Sequence, residues 1–273
     1  MREIGITVRD RDVEAALDRL LPLVPGGVRE RRRRSRVELV ARGDDLPSTI
    51  ELKVALGAVR AELEERTADD DWRERRRADH VPLIVAGRVL VREDWEPGPA
   101  ACGLGPEVID IVLGAGTAFG TGTHPTTRTC LELLLQVPAQ GGFADLGCGT
   151  GVLAILAARL GWSPVTAIDL AGDAAAATAR NARANDAAVT VLQGDVTAAR
   201  ELPGAEGIAA NVPAGVHASL AQRLGPRPPR VMIVSGFGDA ESGPVLNAYR
   251  RAGLFVERRH DADGWTIVRL RSA

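Results

Sequence analysis

Two glycine-rich segments and two polar residues at strand ends carry the chemistry legible in this sequence. The first segment, Ala144-Asp145-Leu146-Gly147-Cys148-Gly149-Thr150-Gly151, lies between an apolar strand and an apolar helix. Glycines there let the backbone come close to a ligand and turn tightly into a helix amino end. Asp169 closes the next strand about 20 positions later, where a carboxylate can accept hydrogen bonds from both hydroxyls of a ribose. Asp169 could instead cap the following helix, although Asp173 is better placed for that. A dinucleotide fingerprint needs two residues between its second and third glycines, and here Gly149 and Gly151 are separated by one. Asp145 also favours a cationic ligand, because a carboxylate beside a pyrophosphate would be repelled.

This turn resembles the first motif of class I S-adenosylmethionine-dependent methyltransferases, whose cofactor carries an ammonium and a sulfonium. A second segment sharpens the resemblance: Ala118-Phe119-Gly120-Thr121-Gly122-Thr123-His124-Pro125-Thr126-Thr127, ahead of an apolar helix. The string AFGTGTHPTT followed by DLGCGTG resembles the bacterial PrmA family, lysine methyltransferases of the large-subunit stalk protein eleven. The resemblance runs from about Pro82 to the C-terminus and includes Ala210-Asn211-Val212 and Ser235-Gly236. It implies a Rossmann-like class I methyltransferase domain with a mostly parallel seven-stranded sheet. It also implies S-adenosylmethionine as cofactor, S-adenosylhomocysteine as product, and a ribosomal protein as substrate. Cofactor contacts are implied from Thr127, Gly147, Asp169 and Asn211, with the loop from Phe119 through Gly120 to His124 closing over the methionine end. Gly149 and Asp145 complete the expected cofactor set. His124 could instead be a helix-entry residue beside Pro125.

Asn211 stands at the end of a strand, where its amide oxygen can hold an incoming amine and its NH2 can meet cofactor or backbone. A turn-forming role before Pro213 is the competing reading. Family members usually read Asn-Ile-Leu here, and this chain reads Asn211-Val212-Pro213, which leaves the acceptor open: another protein or a small-molecule amine is the alternative. The expected reaction is in-line displacement by a neutral amine at the methyl carbon. With lysine near pKa ~10.4, freeing the amine near pH ~7.4 costs about 4 kcal/mol, which a partly dry, amide-lined mouth reduces. Positioning supplies most of the remaining rate gain, so no general base is named.

These residues need a scaffold. From Gly142 onward strands alternate with helices: Gly142 to Leu146, Val152 to Leu160, Val165 to Leu170, Asp173 to Asn185, Val189 to Gln193, Ile208 to Val212, Ala214 to Leu224, Val231 to Ser235 and Glu241 to Ala252. A strand pair at Leu254 to Arg259 and Trp265 to Leu270 closes the chain. Such alternation predicts a mostly parallel α/β sheet with its site at the strand carboxyl ends. Ahead of it, a strand at Ile4 to Val8, a helix at Val13 to Leu21, strands at Val28 to Arg34 and Arg36 to Ala41, and a helix over Ile50 to Arg66 suggest a small α+β ferredoxin-like unit. The domains expected are therefore 1–66, a substrate-recruiting unit by family resemblance, a polar linker over 67–80, and a methyltransferase domain over 81–273. A hinged linker would let one mouth reach several amines.

Composition narrows the remaining classes. With 34 Lys+Arg against 36 Asp+Glu, there is no global basic field of the kind a nucleic-acid binder carries, and direct nucleic-acid binding is not expected. Arg29 and Arg31 to Arg34 form a local cluster read as a solvated hairpin. Cys102, Cys130 and Cys148 form no CxxC pair, and the four histidines show no ligand spacing, so no metal is expected. The opening MREIGITVRDRD holds no apolar signal core and no apolar run reaches about 18 residues, giving the expectation of a cytoplasmic protein without membrane contact. A monomer is favoured.

Overall fold

The computed structural model describes residues 2–21, 23–24, 27–33, 36–43, 46–67, 82–114, 120, 124–198 and 202–273; of residues 14, 18, 29, 31–33, 42 and 67 only the backbone is described. The chain divides into two compact units, Met1–His80 and Val81–Ala273. All of the expected linker except Thr67 lies outside the described residues, as do Phe119 and the side chains of Arg29 and Arg31 to Arg34.

The first unit runs β1 (Arg2–Arg9), α1 (Val13–Leu20), β2 (Val28–Arg33), β3 (Arg36–Gly43), α2 (Thr49–Leu56) and β4 (Glu62–Thr67). Its four strands pair antiparallel in the order β2-β3-β1-β4, which is the ferredoxin-like arrangement. Ile4, Ile6, Val8, Leu39 and Ala41 alternate along β1 and β3 and bury against Ala16 and Leu20 of α1 and Leu52 and Leu56 of α2. The expected helix over Ile50 to Arg66 is corrected. Ser48 caps α2 through Glu51 in a capping box, Gly57 ends it at a φ of 54°, and residues 62–67 form an edge strand on β1. The charged run Glu62-Leu63-Glu64-Glu65-Arg66 carries helix-forming residue types, and pairing with β1 overrides that local preference.

The second unit opens with a three-stranded sheet that the pattern of the sequence did not reveal: β5 (Leu83–Val85), β6 (Val89–Glu93) and β7 (Ile109–Leu113). Then follow α3 (Pro125–Leu134), β8 (Phe143–Leu146), α4 (Val152–Arg159), β9 (Val165–Asp169), α5 (Gly172–Ala184), β10 (Val189–Gln193), β11 (Gly207–Asn211), α6 (Ala214–Gln222), β12 (Val231–Gly238), α7 (Asp239–Arg251), β13 (Leu254–Ala262) and β14 (Trp265–Ser272). Strands β8 to β14 make one seven-stranded sheet in the order β10-β9-β8-β11-β12-β14-β13. It is parallel except where β14 runs antiparallel to β12 and β13. Two apolar clusters, one including Ala209 and Ile233 and the other Ala210 and Val234, take alternate residues of β11 and β12, so the sheet is buried on both faces. Strand order reverses between β8 and β11, which is where such sheets open a crevice at their carboxyl ends. Among the described residues no helix is long and apolar enough to cross a membrane, and no group of three or more His, Cys, Asp or Glu could hold a metal ion.

Candidate active site

The glycine turn leaves β8 at Leu146 and enters α4 at Val152. Gly147 adopts a φ of 77°, and a side chain there would collide with Val212 Cγ1. Only glycine meets both demands without strain, which brings the turn flush against the residue after Asn211. The Gly147 and Cys148 amides both donate to the Ile168 carbonyl, at 2.8 and 3.1 Å, fixing the turn to the end of β9. Asp169 is held there by backbone: Oδ2 accepts from the Gly149 amide at 2.9 Å and Oδ1 from the Ala171 amide at 3.0 Å. Each carboxylate oxygen retains acceptor capacity for a further donor. Helix α5 starts at Gly172 with Ala171 as its N-cap, so Asp173 falls inside the first turn, and neither aspartate caps the helix through its side chain.

Asp145 is 1% exposed, and its Oδ2 accepts from the Ala154 amide at 3.1 Å. Burial pushes its carboxyl up to about 7, against the lowering effect of that hydrogen bond, and the nearby Asp169 charge adds to the rise. Asp145 thus braces the end of β8 onto α4, and burial favours its neutral form.

Asn211 ends β11, one residue beyond the pairing of Leu146 with Ala210. Its Nδ2 donates to Thr126 Oγ1 at 3.1 Å, and Thr126 Oγ1 lies 2.7 Å from His124 Nδ1. Nδ1 also accepts from the Thr126 amide at 3.3 Å, which makes His124 the N-cap of α3. The hydrogen-bond pattern therefore assigns the hydroxyl proton to the His124 bond and the Asn211 Nδ2 to the hydroxyl oxygen. Burial pushes His124 below its ordinary pKa, which favours this neutral acceptor form, although the Asp263 charge opposes the shift. With Nδ2 committed, the Asn211 carboxamide is oriented with Oδ1 on its opposite arm. His124 is both helix-entry residue and part of the network at the site.

Thr127 on α3 is 1% exposed, and its Oγ1 has no hydrogen-bond partner among the described residues. A buried hydroxyl without a partner is costly, and it marks a place where a ligand atom would be welcome. Gly120 offers its carbonyl to Thr150 Oγ1 at 2.7 Å, tying the first glycine segment to the second.

Several supports were missed at the level of sequence. On α5, Thr178 Oγ1 donates to the Gly149 carbonyl at 2.9 Å, and Asn181 Nδ2 donates to the Thr150 carbonyl at 2.9 Å. Asn181 Oδ1 accepts from the Gly114 amide at 3.0 Å, and Asn185 brackets Val112 through both its amide groups. The signal was present as polar residues at helical spacing in an alanine-rich helix. Behind Asn211, the buried His217 places Nε2 3.0 Å from the Val212 carbonyl and 3.1 Å from the Ser235 carbonyl, and Nδ1 2.8 Å from the Tyr249 hydroxyl. That arrangement makes Nε2 the donor and Tyr249 the donor to Nδ1.

A family model described as Ribosomal protein L11 methyltransferase (PrmA) matches residues 41–273. The chain belongs to the PrmA family. A ribosomal protein L11 methyltransferase of Bordetella parapertussis is 30% identical, over 97% of this chain and 90% of the relative. One from Chromohalobacter salexigens is 33% identical, over 75% of this chain and 68% of the relative. The crystal structure of a ribosomal protein L11 methylase from Lactobacillus delbrueckii subsp. bulgaricus superposes with a TM-score of 0.61 at 21% identity. It covers 71% of this chain and 99% of its own, and shares the fold. As a PrmA-family methyltransferase, the chain presents the Gly147 to Gly151 turn, Asp169 and Asn211 at the carboxyl ends of β8, β9 and β11.

Proposed function

We propose that this chain transfers methyl groups from S-adenosylmethionine to amines of ribosomal protein L11, the acceptor named for its relatives. The observation that carries the reading is the Asp169 carboxylate, fixed by two backbone amides beside the glycine turn where the strand order reverses. A carboxylate so held accepts well from a diol and poorly matches a phosphate. The buried Thr127 hydroxyl, which has no hydrogen-bond partner among the described residues, fits a polar ligand.

In this reading Asp169 holds the ribose hydroxyls, Gly147 and Gly149 provide the close wall, and Thr127 and the segment from Phe119 to His124 meet the methionine portion. Asp145 acts through the end of β8 that it braces. The cofactor supplies an electrophilic methyl group on a sulfonium. Asn211 Oδ1 accepts an N–H of the incoming amine, which leaves the nitrogen lone pair free to face the methyl carbon. Partial drying of the mouth disfavours the ammonium, so the amine gives its proton to solvent before it attacks, and no dedicated base is named. The ferredoxin-like unit is assigned the recruiting role, and a cytoplasmic setting follows from a ribosomal acceptor.

Asp169→Asn tests the assignment by calorimetry. The variant keeps the side-chain shape and loses the charge-assisted acceptors, worth about 1.5–3 kcal/mol, so cofactor affinity should fall roughly 10- to 100-fold. Unchanged affinity would remove Asp169 from the cofactor site.

A further inference from the structure

The ferredoxin-like unit carries a feature that methyl transfer does not use. One end of its sheet, where β1 finishes and β3 and β4 begin, forms a cleft of about 500 Å³ with the C-terminal half of α2 and the α2–β4 connection. Arg9, Lys53 and Arg60 line it and are all exposed. Arg36 and Glu62, which also line it, neutralise each other across 3.0 Å. Arg9, Lys53 and Arg60 make no ion pair among the described residues. On the same elements, Glu51 caps α2 with Ser48 and Asp12 lies 3.9 Å from Arg11. Three like charges therefore share one concave surface, an arrangement that an anionic occupant relieves.

The surroundings select among anions. Leu56, Val59 and Leu63 give the cleft an apolar lining, and among the described residues no aromatic side chain lines it on which a base could stack. Helical spacing puts Ile50, Lys53, Val54 and Gly57 on one face of α2, and Ile50 and Val54 are 73% and 76% exposed. An apolar strip thus continues outward from the cations.

We propose that this cleft and the adjoining face of α2 dock an acidic, aliphatic segment of the protein substrate. Carboxylates of the segment meet Arg9, Lys53 and Arg60, and its aliphatic side chains lie against Ile50 and Val54. The identity of the partner rests on the protein-methyltransferase reading; the binding chemistry does not.

The test uses the full chain and fluorescence anisotropy with three labelled probes: a peptide of alternating Glu and Leu, the same peptide with Lys for Glu, and an oligouridylate. The Glu-Leu peptide should bind in preference to the other two, more weakly as salt rises. Combined Arg9→Gln, Lys53→Gln and Arg60→Gln substitutions should weaken it roughly tenfold or more. Ile50→Ser with Val54→Ser should weaken it independently, and all five side chains are exposed, so both variants should keep the wild-type circular dichroism. With L11 as substrate, the triple variant should raise KM and leave kcat unchanged. Preference for the oligouridylate, occupation of the face by a second copy in sedimentation, equal binding by the triple variant, or an unmoved KM would each overturn the proposal. Absence of any transfer to L11, with peptide binding intact, would instead fault the choice of partner through the function on which it rests.

Discussion

A carboxamide has its donors and its acceptor on opposite arms of a flat group, and which arm faces an amine decides whether Asn211 helps or obstructs. The Thr126 hydroxyl makes that choice by accepting from Nδ2, and His124 makes the choice for Thr126 by taking its proton. Thr126→Val removes the acceptor while keeping the branched shape, which lets the carboxamide flip. The net worth of one such hydrogen bond is about 0.5–1.5 kcal/mol, so kcat should fall up to roughly tenfold with cofactor affinity unchanged, and Thr126→Ser should restore it. Steady-state kinetics beside calorimetry would read this; a loss of cofactor affinity instead would place Thr126 with the cofactor. At this scale the sequence was informative about Asp169, Asn211 and the glycines because each stands at an abrupt change of pattern. It was silent about Thr126, whose role depends on a partner 85 positions away in the chain.

Elements hold these residues still. Helix α5 uses Thr178, Asn181 and Asn185 to bind the glycine turn on one side and β7 with Gly114 on the other. Asn181→Ala leaves the Thr150 carbonyl and the Gly114 amide without that partner at a 4% exposed position. Thr150 is buried and its orphaned carbonyl costs about 1–3 kcal/mol, whereas the exposed Gly114 can turn its amide to water, so the urea midpoint should drop by an amount equivalent to about 1–3 kcal/mol. No change would mean that water or neighbouring groups replace both bonds. The parallel strands and their helices were legible because buried strands and amphipathic helices follow simple periods. The strands β5 to β7 were not legible: all are short, at 3, 5 and 5 residues, and turns rather than helices separate β5 from β6. The fourth strand of the small unit was hidden for a different reason, since an edge strand can carry Glu62, Glu64 and Glu65 outward and so lose the alternation that marks a buried one.

On the scale of the whole molecule, the chain joins a methyltransferase domain to a ferredoxin-like unit, and the residues proposed to meet the cofactor belong to the former. Composition spoke against a global basic nucleic-acid field, but net charge averages over surfaces and concealed the local cations of the small unit. The central claim is that the two glycine segments, Asp169 and Asn211 serve transfer of a methyl group to an amine of L11. Incubating the purified chain with isotopically labelled S-adenosylmethionine and purified L11, then measuring the intact mass of L11, tests it most directly. Whole methyl increments should appear on L11, and at limiting cofactor they should be greatly reduced with Asp169→Asn. Unmodified L11 in the presence of a chain that binds the cofactor would contradict the claim.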